Sequence, residues 1–231
     1  VLLGRTSLAE DAGLVAAAAV VILDHIDDVR FLSLLRRGNV HGALDMGMSP
    51  GLLPGRTTLE TGVDRFEDCW TVTPTSTGLG CVAALEAAAA GDMDVLVLLG
   101  ADVLADLPDH DLARRALDAV GTVVAVDLFI TPTVERADIV LPAAAPTEVD
   151  GSFTNLEGRI SAVARGASAP GTSRPDWMIA AELAERLGTS LGLTSLEGVW
   201  TEIASVSPVH ADVNPEAILS SGTEGILVAG E

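Results

Sequence analysis

The sequence contains no lysine and no tyrosine, and aromatic residues make up only 3% of its 231 residues. All thirteen basic residues are therefore arginines, set against 33 acidic residues, and the formal net charge is −20. Nucleic-acid binding needs clustered cations that neutralise phosphates, so this balance argues against a nucleic-acid partner. An acidic excess of this kind is typical of a solvated surface.

Cysteines and long apolar runs are also scarce. Cys69 and Cys81 are too few for a disulfide framework or a four-cysteine cluster, which favours a reduced, cytoplasmic setting. The longest apolar run, residues 14–23, falls short of the roughly 20 residues that span a bilayer, and no signal peptide is recognisable. We therefore expect no direct membrane insertion. Because the chain begins with Val1 rather than methionine, we interpret it as an excerpt from a longer polypeptide.

Short apolar runs alternate with helical patterns, and a hydrophobic content of 48% excludes a disordered chain. This alternation predicts an α/β fold, with a doubly wound, mostly parallel sheet and helices on both faces. Ser7 and Glu10 have the spacing of a capping box at the start of the first helix. We predict helices over 8–23, 40–46, 81–90, 107–119, 174–187 and 196–205, and strands over 1–3, 29–35, 94–100, 122–127 and 138–141.

Three regions follow from this pattern. Residues 1–69 are an α/β segment, residues 70–190 a Rossmann-like α/β domain, and residues 191–231 a C-terminal helix followed by a linker. Residues 55–77 show little periodicity and are expected to form an irregular surface section. The last twenty residues are expected to be the linker itself.

One glycine motif resembles a dinucleotide-binding fingerprint. Gly78, Gly80 and Ala83 match G-x-G-x-x-G/A, and Asp102 follows about twenty residues later, where an acid can bind a ribose hydroxyl. The fingerprint should follow a buried strand, but the segment before it contains Pro74. Glycines at the start of a helix are the commoner explanation.

Other candidate groups also have ordinary explanations. Glu148 and Asp150 are close enough for acid–base chemistry, although acids in such a loop more often accept hydrogen bonds from the turn. Cys81 lies near a helix N-terminus and is expected to be a buried structural thiol. The histidines lack the i, i+4 spacing of a metal site and are expected to be isolated surface or capping residues: His25, His41, His110 and His210.

Residues 151–159 are different, because they follow the end of a predicted parallel strand, where open α/β sheets place their ligands. Gly151 and Gly158 permit close backbone approach, and Asn155 can both donate and accept hydrogen bonds. Arg159 suits bidentate binding of a phosphate or carboxylate. From these residues alone, an anionic, nucleotide-like ligand and a buried interface contact are equally good explanations.

The same stretch carries a family resemblance. Residues 137–142 read ADIVLP and residues 148–159 read EVDGSFTNLEGR, which resembles the signature of molybdopterin oxidoreductases. Gly100-Ala101-Asp102 and Val126-Asp127 fall where that family has its preceding strand ends. Within the family, the segment GNVHGALDMGMSPGLLPGR is most similar to the large Fe–S subunit of bacterial NADH-quinone oxidoreductase, the respiratory complex I type.

The resemblance implies a middle slice of that subunit, with the molybdopterin-oxidoreductase fold retained as a scaffold. It implies a vestigial pterin cradle formed by Asp127, Thr131, Gly151, Asn155 and Arg159, with no catalytic residue and no metal ligand in the slice. No cofactor is expected to be bound by the slice itself, and the Fe–S clusters lie elsewhere in the subunit. The implied partners are other subunits of the respiratory complex, which hold the chain at the cytoplasmic side of the inner membrane.

Two functions follow from the resemblance. The first is a scaffold domain in electron transfer from NADH to quinone. The alternative is the core domain of a catalytic, formate-dehydrogenase-like molybdopterin oxidoreductase, in which a molybdopterin cofactor would be bound.

Overall fold

The computed structural model describes residues 1–4, 13–34, 37–70 and 72–228, so the predicted capping box of Ser7 and Glu10 lies outside the described residues. The strands are β1 (Leu2–Leu3), β2 (Leu32–Ser33), β3 (Leu52–Leu53), β4 (Thr57–Thr58), β5 (Val95–Leu99), β6 (Thr122–Asp127), β7 (Ile139–Pro142), β8 (Gly151–Thr154), β9 (Arg159–Val163) and β10 (Ile226–Leu227). The helices are α1 (Gly13–Leu23), α2 (Val40–Asp45), α3 (Leu59–Glu67), α4 (Cys81–Ala90), α5 (Val103–Asp106), α6 (His110–Ala119), α7 (Asp176–Arg186), α8 (Leu196–Val206) and α9 (Pro215–Ser220). Single 3-10 turns lie at Val134–Arg136 and Pro208–His210.

A parallel sheet of strand order β5-β6-β7 is the centre of the fold, which confirms the predicted α/β class. Helices α4 and α6 pack together on one face, where their apolar residues surround Leu96 and Leu98 of β5. Leu141 of β7 is in register with Val126 and Leu99, so it points to the opposite face. There it lines a small cavity with Ile179 of α7. Helices therefore lie on both faces.

Local signals explain why these elements form where they do. Helix α4 ends at Gly91, whose φ of 82° places it in the left-handed region that favours glycine. Helix α6 begins after Asp109, whose carboxylate accepts a hydrogen bond from the Leu112 N–H at 2.9 Å. Strand β6 lies between two neighbours, and its residues 123–126 are all buried, as expected for a central parallel strand.

Residues 55–77 are not irregular, contrary to the prediction. Helix α3 occupies most of this section, and Phe66 packs with Leu53 and Val206 in a separate small core. Trp70 stacks on Phe66 with ring centroids 4.7 Å apart, and its indole N–H donates to Glu202 at 3.1 Å. Burial of these aromatic rings gives the section a fixed structure.

The last twenty residues are also structured rather than a linker. Strand β10 pairs antiparallel with β9, and β9 pairs with β8, so β9 is the middle strand of a three-stranded sheet. Helix α9 begins after Asn214, whose side chain accepts a hydrogen bond from the Ala217 N–H at 2.9 Å. Ile218 of α9 joins Ile160 of β9 and Trp200 of α8 in a third core. Apolar burial therefore holds this region on the sheet.

The N-terminal strands are short. β1 and β2 pair in parallel over two residues each, so the predicted strand over 29–35 is reduced to Leu32–Ser33. Helix α1, which lies between them in the chain, has no buried residue in the described part of the structure. Among the described residues, no helix combines the length and the apolarity needed to cross a membrane.

Candidate functional site

Two of the predicted site residues, Asp127 and Thr131, lie at and just after the carboxyl end of β6. Asp127 Oδ1 accepts hydrogen bonds from the backbone N–H groups of Leu128 at 2.6 Å and Phe129 at 3.3 Å. Thr131 Oγ1 accepts from the Val134 N–H at 3.2 Å. Both side chains thus shape the turn that leaves the strand, a common use of short polar side chains.

The neighbouring strand end carries a second polar pair. The hydroxyl of Thr133, a fully buried residue, donates to Asp102 Oδ1 at 2.5 Å and accepts from the Leu104 N–H at 3.1 Å. The same carboxylate oxygen accepts from the Ala105 N–H, which makes Asp102 the N-cap of α5. Asp102 therefore ties the β5 and β6 loops together, instead of standing free to bind a ribose hydroxyl.

The other three predicted residues, Gly151, Asn155 and Arg159, belong to the β8–β9 hairpin and not to a loop that closes the parallel sheet. The expectation that 151–159 is such a loop is therefore wrong. Its glycines and its Asn155–Gly158 turn are also the ingredients of a hairpin. The Asn39 side-chain oxygen accepts from the Thr154 N–H at 2.8 Å, which fixes β8 beside α2.

Local contacts hold the hairpin turn. Asn155 Oδ1 accepts from the backbone N–H groups of Glu157 at 2.9 Å and Arg159 at 3.0 Å. Gly158 has a φ of 81°, and its N–H donates to the Asn155 carbonyl at 3.0 Å. Arg159 Nε donates to the carboxylate of Glu157 at 3.0 Å. The polar groups expected to meet a ligand instead stabilise the turn.

A polar cleft of about 620 Å³ lies between this turn and the α2–α3 region. Within it, Arg56 Nε lies 2.5 Å from Asp45 Oδ1, and Arg56 Nη2 lies 2.7 Å from His41 Nδ1. Asp45 is only 7% exposed, so its pairing with Arg56 is less screened than a surface pair. Arg56 has a φ of 54°, an uncommon conformation for a residue with a side chain.

The cleft has a buried histidine behind it. His210 is fully buried, and its Nδ1 lies 2.7 Å from Ser207 Oγ. Burial lowers the pKa of His210, as does the charge of Arg56, while the charge of Asp45 opposes the shift. In the described part of the chain, His210 Nε2 is the one buried side-chain nitrogen or oxygen without a hydrogen-bond partner.

The structure corrects the prediction for two histidines and Cys81. His210 is a core residue, and His41 belongs to the Arg56 network, so neither is isolated. Their partners lie close in sequence, but no periodic pattern marked Arg56 or Ser207 as those partners. His25 and His110 do bond nearby carbonyl groups, as expected of capping residues. Cys81 is exposed rather than buried.

The remaining motifs have structural roles. Glu148 accepts from the Ala145 N–H at 2.9 Å and Asp150 from the Arg165 N–H at 3.0 Å, as expected for turn acceptors. Gly78 and Gly80 precede α4 without a strand in the described residues 72–80, so the dinucleotide context is missing. Among the residues that the structure describes, no group of three or more His, Cys, Asp or Glu side chains could hold a metal ion.

Comparison with known proteins identifies the family. The family model for molybdopterin oxidoreductase matches residues 6–186. The chain belongs to the molybdopterin oxidoreductase family. This confirms the resemblance of residues 137–159 at the level of the family.

Several members of the molybdopterin oxidoreductase family align with it. The F420-dependent formate dehydrogenase 2 subunit alpha of Methanococcus maripaludis is 33% identical over 193 residues, which cover 82% of this chain and 28% of that protein. The NADPH-Fe(3+) oxidoreductase subunit alpha of Geobacter sulfurreducens is 32% identical over 176 residues, or 76% of this chain and 20% of that protein. The G 2 subunit of the NADH-quinone oxidoreductase of Rhizobium meliloti is 42% identical over 133 residues, or 56% and 16%. The chain thus spans less than a third of the length of these relatives.

The family name implies a molybdopterin group, and the five predicted cradle residues do not fit it as one site. Asp127 and Thr131 follow the parallel sheet, whereas Gly151, Asn155 and Arg159 lie in the antiparallel sheet. Asp127, Thr131 and Asn155 each accept backbone hydrogen bonds, and Arg159 is paired with Glu157. We therefore derive no step through this group.

Proposed function

We propose that the chain is a scaffold domain of the large Fe–S subunit of an NADH:quinone oxidoreductase and carries out no chemistry itself. The observation that carries the proposal is the internal use of Asn155, which holds two backbone N–H groups of the hairpin turn. The 42% identity to the NADH-quinone oxidoreductase polypeptide of Rhizobium meliloti also supports it. In this role the five signature residues are kept because they shape turns.

The proposed partners are the other subunits of the respiratory complex, which would hold the chain at the cytoplasmic side of the inner membrane. Electrons would pass from NADH to quinone through Fe–S clusters held elsewhere in the subunit. The contribution of this chain would be to keep its neighbours in position, for which rigid turns and buried cores are suitable.

A second candidate is the core domain of a catalytic, formate-dehydrogenase-like oxidoreductase. The formate dehydrogenase match supports it, because that alignment extends over more of the chain, 82% against 56%. Open space at the sheet edge supports it as well: a Cβ built on Gly100 would meet no heavy atom within 4 Å. A bound cofactor could approach the backbone there.

Metal content and activity of the native complex separate the two candidates. The complex should be purified through a tag on this polypeptide and measured for molybdenum and tungsten by mass spectrometry. NADH:quinone activity and formate oxidation should be assayed on the same preparation. The scaffold proposal expects NADH:quinone activity and only trace molybdenum and tungsten. Stoichiometric molybdenum or tungsten with formate oxidation would refute it and establish the second candidate.

A further inference from the structure

The cleft beside the hairpin turn has features that the scaffold role does not use. Its volume of about 620 Å³ is within the range of small-molecule sites. Its lining comes from α2, β4, α3, the hairpin turn and the segment before α9, which are distant in the chain. It is separate from the strand end that carries Asp127.

The charges in the cleft leave a cation uncompensated. Asp45 is paired with Arg56, and Glu157 is paired with Arg159. Arg65 also lines the cleft, and it makes no hydrogen bond or ion pair with any residue that the structure describes. An unpaired guanidinium on the wall of a polar cleft is suited to binding an oxyanion bidentately.

Hydroxyl groups and backbone N–H groups add donors next to Arg65. Thr57, Thr58 and Thr61 line the cleft at the start of α3. Thr58 is the N-cap but makes no side-chain bond to the helix, because its hydroxyl lies 2.9 Å from that of Thr61. The first turn of this nine-residue helix therefore keeps uncapped N–H groups, which favour negative charge.

The buried His210 gives an independent indication that a partner is missing near the cleft. Its neighbours Pro208 and Val209 line the cleft, and Ser207, its hydrogen-bond partner, lies directly behind Gly55 of the lining. Its Nε2 has no hydrogen-bond partner among the described residues. Buried polar atoms usually have a partner, which is often a bound water or ligand group.

We propose that this cleft binds a small molecule through an oxyanion, a phosphoryl or carboxylate group, held by Arg65, the threonine hydroxyls and the first turn of α3. Arg56 stays with Asp45 and His41 and forms the floor of the site. This proposal goes beyond the scaffold function and does not depend on it.

Calorimetric titration of the 231-residue chain tests the proposal, with inorganic phosphate and pyrophosphate as phosphoryl probes and citrate as the carboxylate probe. We expect saturable binding of one class, weakened about tenfold or more by Arg65→Gln, since a charge-assisted hydrogen bond is lost. Arg65 is exposed on α3, so the substitution leaves the core intact. Arg114→Gln is the matched control, because Arg114 pairs with Asp111 on the surface of α6 and should leave binding unchanged.

The outcomes distinguish the ligand classes and can refute the site. Binding of phosphate or pyrophosphate that Arg65→Gln weakens would assign a phosphoryl ligand, and the same result with citrate would assign a carboxylate. A Thr61→Val variant should weaken the same probe. Absence of saturable binding by every probe, or equal binding by wild type and Arg65→Gln, would overturn the proposal. Neither result would bear on the metal content that tests the scaffold function.

Discussion

Replacing Asn155 by alanine removes a side-chain oxygen that accepts two backbone hydrogen bonds in the hairpin turn, from Glu157 at 2.9 Å and Arg159 at 3.0 Å. A hydrogen bond contributes about 0.5–1.5 kcal/mol net, and exposed N–H groups can turn to water when it is lost. We therefore expect the free energy of unfolding to fall by about 1–2 kcal/mol.

The comparison with Arg159→Ala makes this prediction specific. The pair of Arg159 with Glu157 is solvent-accessible, with side-chain exposures of 38% and 66%. Such pairs contribute about 0–1 kcal/mol, so this substitution should cost less than Asn155→Ala. If the hairpin is kept for its structure, the residue that organises the turn matters more than the cation.

Urea unfolding of the 231-residue chain, followed by circular dichroism, measures both variants. With a slope of about 2 kcal/mol per molar urea, the Asn155→Ala midpoint should fall by about 0.5–1 M. Asn155→Asp is the matched control, because it keeps the accepting oxygen and should remain close to wild type. A wild-type midpoint for Asn155→Ala, together with a large loss for Arg159→Ala, would show that the turn does not depend on these bonds.

Three further predictions use the same unfolding assay. Gly158→Ala should cost about 1 kcal/mol, because an L residue is strained at a φ of 81°; an unchanged midpoint would contradict the turn geometry. Ile218→Ala should cost about 2–5 kcal/mol and the exposed neighbour Leu219→Ala much less, because only Ile218 is buried; equal losses would mean that α9 is not packed as described. The lowered pKa of His210 means that the unfolded state binds its proton more readily, so its contribution to stability is present above its ordinary pKa of about 6.5 and is lost as pH falls below it. The His210→Asn variant should lose less stability between about pH 7 and pH 5, and an unchanged pH dependence would contradict this assignment.

The central sheet could be predicted because its signals are local. Residues 94–100 form a continuous apolar run, and Gly91 marks the end of the preceding helix, so α4 and β5 follow from short-range rules. Helix α3 was missed although Leu59, Val63 and Phe66 have helical spacing, because Gly62 and the surrounding polar residues weaken the pattern. Helix α9 was missed although an asparagine followed by a proline is a common start of a helix.

The candidate sites were harder to predict, because they depend on contacts between distant segments. The residue types in 151–159 suit both a ligand loop and a hairpin, and the pairing with β10 decides between them. The cleft brings Arg65 and Glu157 to one cavity, although nothing in the spacing of these residues relates them. The family signature identified the chain's relatives, but not the arrangement of these side chains.

The central position of β9 has a consequence for the order of folding. The β8–β9 hairpin closes through a short turn and can form early, since loops of this size close rapidly. Strand β10 reaches β9 only after α7, α8 and α9 have been traversed, and Ile226 then pairs with Ile160. Pairing over such a separation costs loop-closure entropy before it yields stability, which slows formation of the complete sheet. During synthesis, one edge of β9 therefore remains unpaired until almost the whole described chain has emerged, and this edge is the place where a partly made molecule is most open to pairing with another chain.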